Sequence, residues 1–368
     1  MQKVKAFFQK KGVTFSLRCY GIDALGAMAQ GLFCTLLVGT ILNTIGQQFG
    51  IAFLNQVIVS IGEGEGATHY TIGGLASAMV GPGIAVAIGY ALRCPNLVLF
   101  SLIPVGFASN AMGGAGGPLA VYFVTILAAE CGKLVSKETR IDILVTPIVT
   151  ILIGIGAASL IAEPIGTAAK SVGLAIMWAT ELRPFFMGIV VSAVIGIALT
   201  LPISSAAICA AFGLTGLAGG AAVAGCCAQM IGFAVMSFRE NRWGGLAAQG
   251  VGTSMLQMPN IVKNPKIWIP PTLASVITGP LATGVFKLQM NGAPVSSGMG
   301  TCGFVGQIGV YTGWINDIAA GTKAAITTMD WVGLVLICFV LPAVLSWVFC
   351  QILRKIHWIK ENDLKLDL

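Results

Sequence analysis

Long apolar runs, with polar and charged positions gathered at their ends, dominate the pattern of this chain. Runs 22–45, 141–162 and 331–350 each hold about 20 residues, the length that a helix needs to cross the hydrocarbon of a bilayer. The pattern predicts an all-α fold, a polytopic transmembrane helix bundle. The predicted helices are 22–45, 71–92, 97–108, 118–129, 141–162, 172–187, 189–211, 217–237, 271–288 and 331–350.

Shorter apolar pieces at 50–61, 244–256 and 304–318 predict re-entrant or broken segments, which a membrane protein tolerates inside the protein or around a cavity. With them, we expect about 8–10 crossings. The 48 glycines and 15 prolines agree with this expectation, because small residues let helices approach closely and prolines interrupt them.

Composition strengthens the membrane prediction. The chain is 56% hydrophobic and 10% charged, whereas a soluble domain carries about 25% charged residues. The net charge of +7 does not indicate nucleic-acid binding, since the charges flank apolar runs and form no basic face. No phosphate-binding loop, hydrolase elbow or metal-type cysteine spacing occurs, so we expect no catalytic residue, no cofactor and no metal in this chain.

Basic residues mark both ends of the chain. Residues 1–20 are predicted to be a cytoplasmic amphipathic arm on anionic lipid or a positive-inside topology signal, and these roles are compatible. Residues 354–368 are predicted to be a basic cytoplasmic tail, and 21–353 a single transmembrane domain. Two cytoplasmic termini require an even number of crossings, and we expect the bacterial inner membrane.

Regions 73–130 and 244–318 resemble each other and suggest an internal repeat. Each opens on Gly-Gly-Leu-Ala, continues to a basic residue near a proline, and reaches an asparagine among small residues. Glycine-rich helices also produce such matches by chance. A true repeat would be informative, because transporters often bind substrate between repeats, at broken helices.

In the first half of the chain, polar groups interrupt the apolar pattern at 62–70 and 110–118. Glu65 and His69 lie among glycines, where they are candidates for binding sugar hydroxyls or relaying a proton, unless the segment is an external loop. Asn110 precedes a run of glycines whose free backbone N–H groups face either a cavity or a plain loop.

In the second half, segment 249–271 contains Gln257 and Asn260, which a cytoplasmic loop explains less easily than it explains the nearby lysines. Segment 289–307 is rich in amides and hydroxyls and carries no charge. Neutral hydrogen-bonding groups on a flexible backbone suit a neutral polyol better than an ion. The candidate substrate contacts in this segment are Asn291, Ser296, Ser297 and Gln307.

The stretch 241–257, which reads NRWGGLAAQGVGTSMLQ, resembles a known family, as do Asn260, Pro265, Pro270-Pro271 and the Asn-Gly-Ala-Pro at 291–294. It is similar to the membrane EIIC components of the phosphoenolpyruvate-dependent sugar phosphotransferase system, and more narrowly to the perfringolysin regulator-like branch. The resemblance implies a homodimeric permease whose sugar is phosphorylated by EIIA and EIIB proteins. No soluble stretch is long enough for fused EIIA or EIIB domains, so these partners are expected to be separate. The Gly-Ile-Thr-Glu substrate motif of the best-known sugar permeases is missing.

The predicted function is therefore a membrane permease that translocates a sugar or similar small polar solute. One alternative is a membrane-bound sensor that regulates gene expression through a partner. Another is a proton-coupled transporter that uses Glu63, Glu65 or His69.

Overall fold

The computed structural model describes residues 7, 10–13, 16, 18–62 and 67–366. Two compact units make up the chain, Met1–Ala168 (unit 1) and Ala169–Leu368 (unit 2). The chain is 79% helical with almost no strand, which confirms the all-α prediction. The prediction of one transmembrane domain over 21–353 stays a prediction.

Unit 1 consists of apolar helices and one short hairpin. Its elements are α1 (Cys19–Phe49), α2 (Ala52–Asn55), β1 (Val59–Ile61), β2 (Thr68–Tyr70), α3 (Ile72–Ala78), α4 (Val80–Ala91), α5 (Asn96–Gly113), α6 (Gly117–Val135) and α7 (Asp142–Thr180), whose last residues belong to unit 2.

Helices α5 and α6 form an antiparallel hairpin. Gly114 takes a φ of +52°, which favours glycine, and the chain reverses there. A methyl group at Gly132, near the end of α6, would lie 2.9 Å from Val98 at the start of α5, so the helices run side by side over their whole length. The continuous helical stretch Asn96–Val135 is therefore two helices.

A broken helix occurs between α3 and α4, which bend by 52° at Met79. Thr71 caps α3 by accepting a hydrogen bond from the Gly74 N–H, at 3.0 Å. This break lies inside the predicted helix 71–92 and not in one of the segments that were predicted to be broken.

The N-terminal arm, where it is described, is tied to the α6–α7 connection. The Lys11 ammonium donates to the Ser136 carbonyl and pairs with Glu138 at 2.5 Å. The hydrogen bond and charge of Lys11 lower the pKa of Glu138. The described part of the arm is thus held by specific contacts of Lys11.

Unit 2 is arranged around one buried helix. Its elements are α8 (Pro184–Thr200), α9 (Ser205–Ala211), α10 (Gly216–Met236), α11 (Phe238–Ala247), α12 (Met258–Lys263), α13 (Ile269–Pro280), α14 (Val305–Ala319) and α15 (Thr328–Lys355). Helix α10 contacts α8, α13 and α15, and 89% of its most apolar stretch is buried. Single 3₁₀ turns separate these helices at Ser254–Gln257, Pro265–Trp268, Pro294–Gly298 and Cys302–Phe304.

Within the described residues, five helical stretches are long and apolar enough to cross a membrane, and the bent α3–α4 pair is a sixth. The five are Cys19–Phe49, the α5–α6 hairpin Asn96–Val135, Asp142–Thr180, Gly216–Met236 and Thr328–Lys355. The range of 8–10 crossings stays a prediction.

Two predicted boundaries were wrong. The predicted helix 172–187 is the end of α7, which continues through Pro147 and Pro164 to Thr180. The real break precedes Pro184, which starts α8, since proline is favoured in a first helical turn. The predicted helix 189–211 is divided between α8 and α9.

Candidate functional site

A polar cavity of about 540 Å³ lies in unit 2, at the end where α10 and α15 begin. Its lining combines amides, charged groups and aromatic rings. The lining residues are Phe286, Lys287, Gln289, Asn291, Trp314, Asp317, Thr322, Lys323 and Asp330.

The Asn291 side chain is held on both sides. Its Oδ1 accepts from the Gly216 N–H at 3.1 Å, and its Nδ2 donates to Asp317 Oδ2 at 2.8 Å and to Gln289 Oε1 at 3.2 Å. Backbone hydrogen bonds in both directions between Gly216 and Met290, each 3.0 Å long, attach this segment to the start of α10. The amide is therefore fixed before a ligand arrives.

An ion pair closes another side of the cavity. Lys323 Nζ lies 2.9 Å from Asp330 Oδ1 and 5.9 Å from the centre of the Trp314 ring. Asp330 also forms a capping box with Thr327 that starts α15. Sequence reasoning missed Asp317, Lys323 and Asp330, although Asp317 is a lone acid at the end of the apolar piece 304–318.

The other candidates of segment 289–307 lie deeper in unit 2. Ser297 is fully buried and donates to the Leu214 carbonyl at 2.6 Å, while Ser296 is buried against Gly309. Gln307 is 8% exposed, and its Nε2 donates to Cys227 Sγ at 3.2 Å. Its Oε1 is buried and has no hydrogen-bond partner among the described residues.

Gln257 and Asn260 lie at a different place, beneath the C-terminal tail. Gln257 Nε2 donates to the Leu364 carbonyl at 3.0 Å and to Gln249 Oε1 at 2.8 Å. Asn260 Nδ2 donates to the Lys365 carbonyl and to Gln257 Oε1, both at 2.8 Å. These hydrogen bonds favour a structural role for both amides.

The remaining candidates belong to unit 1. Asn110 lies near the end of α5, closely packed against Gly117 and Gly81. His69 lies on β2, where its Nδ1 is 2.7 Å from the exposed Ser60 hydroxyl. Glu65, like Glu63, lies outside the described residues.

A buried polar network in the middle of unit 2 was also missed. Gln229 on α10 accepts from Trp268 Nε1 at 3.0 Å and from Thr200 Oγ1 at 3.3 Å, and it donates to Thr272 Oγ1 at 3.2 Å. Thr200 also shares a 2.8 Å hydrogen bond with Ser254. The available signal was Gln229 itself, the one amide in the apolar run 217–237.

These groups lie along α10 from its first residue, Gly216, to Gln229. Gly216 contacts Asn291, Cys227 contacts Gln307, and Gln229 holds the network about 20 Å from Gly216 along the helix axis. Neutral hydrogen-bonding groups thus occur at successive levels inside a bundle that is otherwise apolar.

Comparison with known proteins gives one family. The model of a family described as "Phosphotransferase system, EIIC" matches residues 22–366, which confirms the resemblance seen at 241–257. No curated protein and no solved structure matches the chain. The narrower perfringolysin regulator-like assignment stays a prediction. Since the match covers nearly the whole chain, this multi-pass membrane protein belongs to the EIIC family, the sugar-translocating membrane components of the phosphotransferase system.

Proposed function

We propose that this EIIC protein takes up a neutral sugar or polyol through the Asn291 cavity of unit 2. The observation that carries the proposal is the fixed amide of Asn291 between the Gly216 N–H and Asp317, on the wall of a cavity of about 540 Å³. Cavities of roughly 300–1,000 Å³ are typical of small-molecule sites.

The chemistry of the lining suits hydroxyl groups. A hydroxyl both donates and accepts, and the cavity offers the amide group of Gln289 and the acceptor oxygens of Asn291 and Asp317. The two Nδ2 hydrogens of Asn291 are already donated to Asp317 and Gln289, so they position these groups. The charged side chains of the lining are two cations, Lys287 and Lys323, and two anions, Asp317 and Asp330, so they add no net charge, and Lys323 and Asp330 are paired with each other. A neutral polar solute therefore fits better than an ion.

Gln307 is proposed as a deeper contact for the same solute. A buried acceptor without a partner costs about 1–3 kcal/mol, and a passing hydroxyl that donates to Gln307 Oε1 would remove that cost. The buried hydroxyls of Ser296 and Ser297 lie on the same segment between the cavity and Gln307. Together they extend the proposed contact surface inward along α10.

EIIA and EIIB proteins, which the family implies, would supply the phosphoryl group, while this chain binds and releases the solute. We further propose that it works as a homodimer in the bacterial inner membrane, with both termini in the cytoplasm. No observation favours a sensor or a proton-coupled transporter over this function.

Uptake of labelled sugars and polyols tests the proposal, in cells that express the chain together with EIIA and EIIB. We expect Asn291→Ala to reduce uptake about tenfold or more, since it removes hydrogen bonds worth about 0.5–1.5 kcal/mol each as well as the fixed cavity wall. Gln307→Ala should reduce uptake by a smaller factor. Asn316→Ala is the matched control, because Asn316 is an exposed amide on α14 outside the cavity. Uptake that is equal in all three variants would contradict the assignment of the site.

A further inference from the structure

A second cavity, of about 300 Å³, lies at the opposite end of unit 2, where α10 and α15 end. Most of its lining is apolar or aromatic, with one cation and one amide. The lining residues are Val235, Met236, Phe238, Arg239, Leu246, Trp347 and Gln351. We call it the Arg239 groove.

The groove lies at the level where two candidate membrane spans end. Helix α10 ends at Met236, and Trp347 lies two turns before the end of α15 at Lys355. Trp347 is 50% exposed, and Trp243, whose ring packs edge-on against the groove residue Phe238, is 74% exposed. Exposed tryptophans at span ends are typical of the interface between lipid tails and headgroups. The groove therefore opens toward the headgroup layer.

The Arg239 side chain has its charge free for a ligand. It is exposed, and none of the ion pairs among the described residues includes it. The adjacent acid, Glu240, is already paired with Arg354 at 2.6 Å. An unpaired guanidinium next to an apolar groove matches an amphiphile with an anionic head.

We propose that the Arg239 groove binds one anionic phospholipid. Arg239 and Gln351 would hold the phosphate, and the walls formed by Val235, Leu246 and Trp347 would contact the start of an acyl chain. Basic pockets between membrane helices bind anionic headgroups in this way, and arginine matches the geometry of phosphate oxygens. The apolar walls favour a lipid over free phosphate, which would leave them uncovered. The site is independent of the solute cavity.

The test uses the purified full chain in a neutral detergent, titrated with dioctanoyl phosphatidylglycerol, dioctanoyl phosphatidylcholine or inorganic phosphate. We expect phosphatidylglycerol to bind more tightly than phosphatidylcholine. Arg239→Gln should weaken phosphatidylglycerol binding about fivefold, as expected for one cation near an anionic surface, and Arg239→Lys should retain part of it. Trp347→Ala should weaken the binding of both lipids.

Lys355→Gln is the matched control, because it removes an exposed cation from the same end of α15 outside the groove. If Arg239→Gln and Lys355→Gln lose the same amount of affinity for phosphatidylglycerol, the proposal is overturned, because equal losses would indicate only nonspecific electrostatic attraction. Inorganic phosphate that displaces phosphatidylglycerol at similar concentration would also overturn it, by showing a free-anion site.

Discussion

At the scale of single residues, Gln229 is the amide whose removal has the clearest physical consequence. It is fully buried, and its oxygen accepts from both Trp268 and Thr200. Leucine has a similar size but no polar atom, so Gln229→Leu would remove the acceptor of the half-buried Trp268 indole N–H and one partner of the buried Thr200 hydroxyl. A lost hydrogen bond costs about 1 kcal/mol, and the cost rises to about 3 kcal/mol only where the donor is fully buried and unsatisfied.

We therefore expect Gln229→Leu to lower the melting temperature in detergent, by about 2–4 °C for each kcal/mol lost. Gln56→Leu is the control, since Gln56 is an exposed amide in a turn of unit 1. The melting temperatures are measured by differential scanning calorimetry. If both variants melt at the same temperature, the network does not stabilise unit 2.

Single residues also explain why only part of the candidate site could be predicted from the sequence. Asn291, Ser296, Ser297 and Gln307 stand out because they form a neutral polar run without charge. Asp317 lies 26 residues from Asn291 and meets it only through the packing of α14, which no local pattern encodes. Gln257 and Asn260 follow the same polar pattern but hydrogen-bond to the tail, because hydrogen-bonding capacity does not specify the partner.

At the scale of elements, apolar length predicted where most of the chain is helical but not where each helix begins and ends. The predicted run 331–350 corresponds to α15, Thr328–Lys355, whose start depends on the Thr327–Asp330 capping box. Helix α7 keeps its helical path through two prolines, since packing can override the local preference that proline expresses. The predicted helix 71–92 passed over the break at Met79, although Pro82 follows three residues later and has no N–H to donate to the Ala78 carbonyl.

The C-terminal tail is the element whose attachment is easiest to test. Asn241 Nδ2 donates to the Leu364 carbonyl and Asn241 Oδ1 accepts from the Leu366 N–H, both at 2.8 Å. Leu364 is fully buried below these bonds. The tail, which the sequence predicted only as a basic cytoplasmic segment, is thus held to α11 and α12 by side-chain amides.

We expect Asn241→Ala to speed hydrogen–deuterium exchange in residues 359–366 about thirtyfold, because two hydrogen bonds of about 1 kcal/mol each are lost. Glu361→Ala changes an exposed tail residue and serves as the control. Exchange that stays slow in Asn241→Ala would show that the buried apolar side chains of the tail hold it without this amide.

At the scale of the whole molecule, charge and cavity position together imply an orientation. Basic residues are concentrated at the C-terminal end of α15 and just beyond it, at Arg354, Lys355 and Lys360, so the positive-inside tendency predicts that this end lies in the cytoplasm. The Asn291 cavity lies at the opposite end of α15, near Asp330. If α15 crosses the membrane once, the cavity faces outward, which suits the entry of an external solute.

Cysteine labelling in intact cells tests this orientation. Thr322 lines the cavity and is exposed, so we expect Thr322→Cys to react with a membrane-impermeant maleimide above the background of the native cysteines. Lys360→Cys, exposed on the tail, should react only after the cells are permeabilised. Six native thiols, those of Cys209, Cys226, Cys227, Cys302, Cys338 and Cys350, contribute little background because they are buried and the reagent does not reach them. Labelling of Lys360→Cys in intact cells would show that the protein has the opposite orientation. The Asn291 cavity would then be the exit of the solute path rather than its entrance.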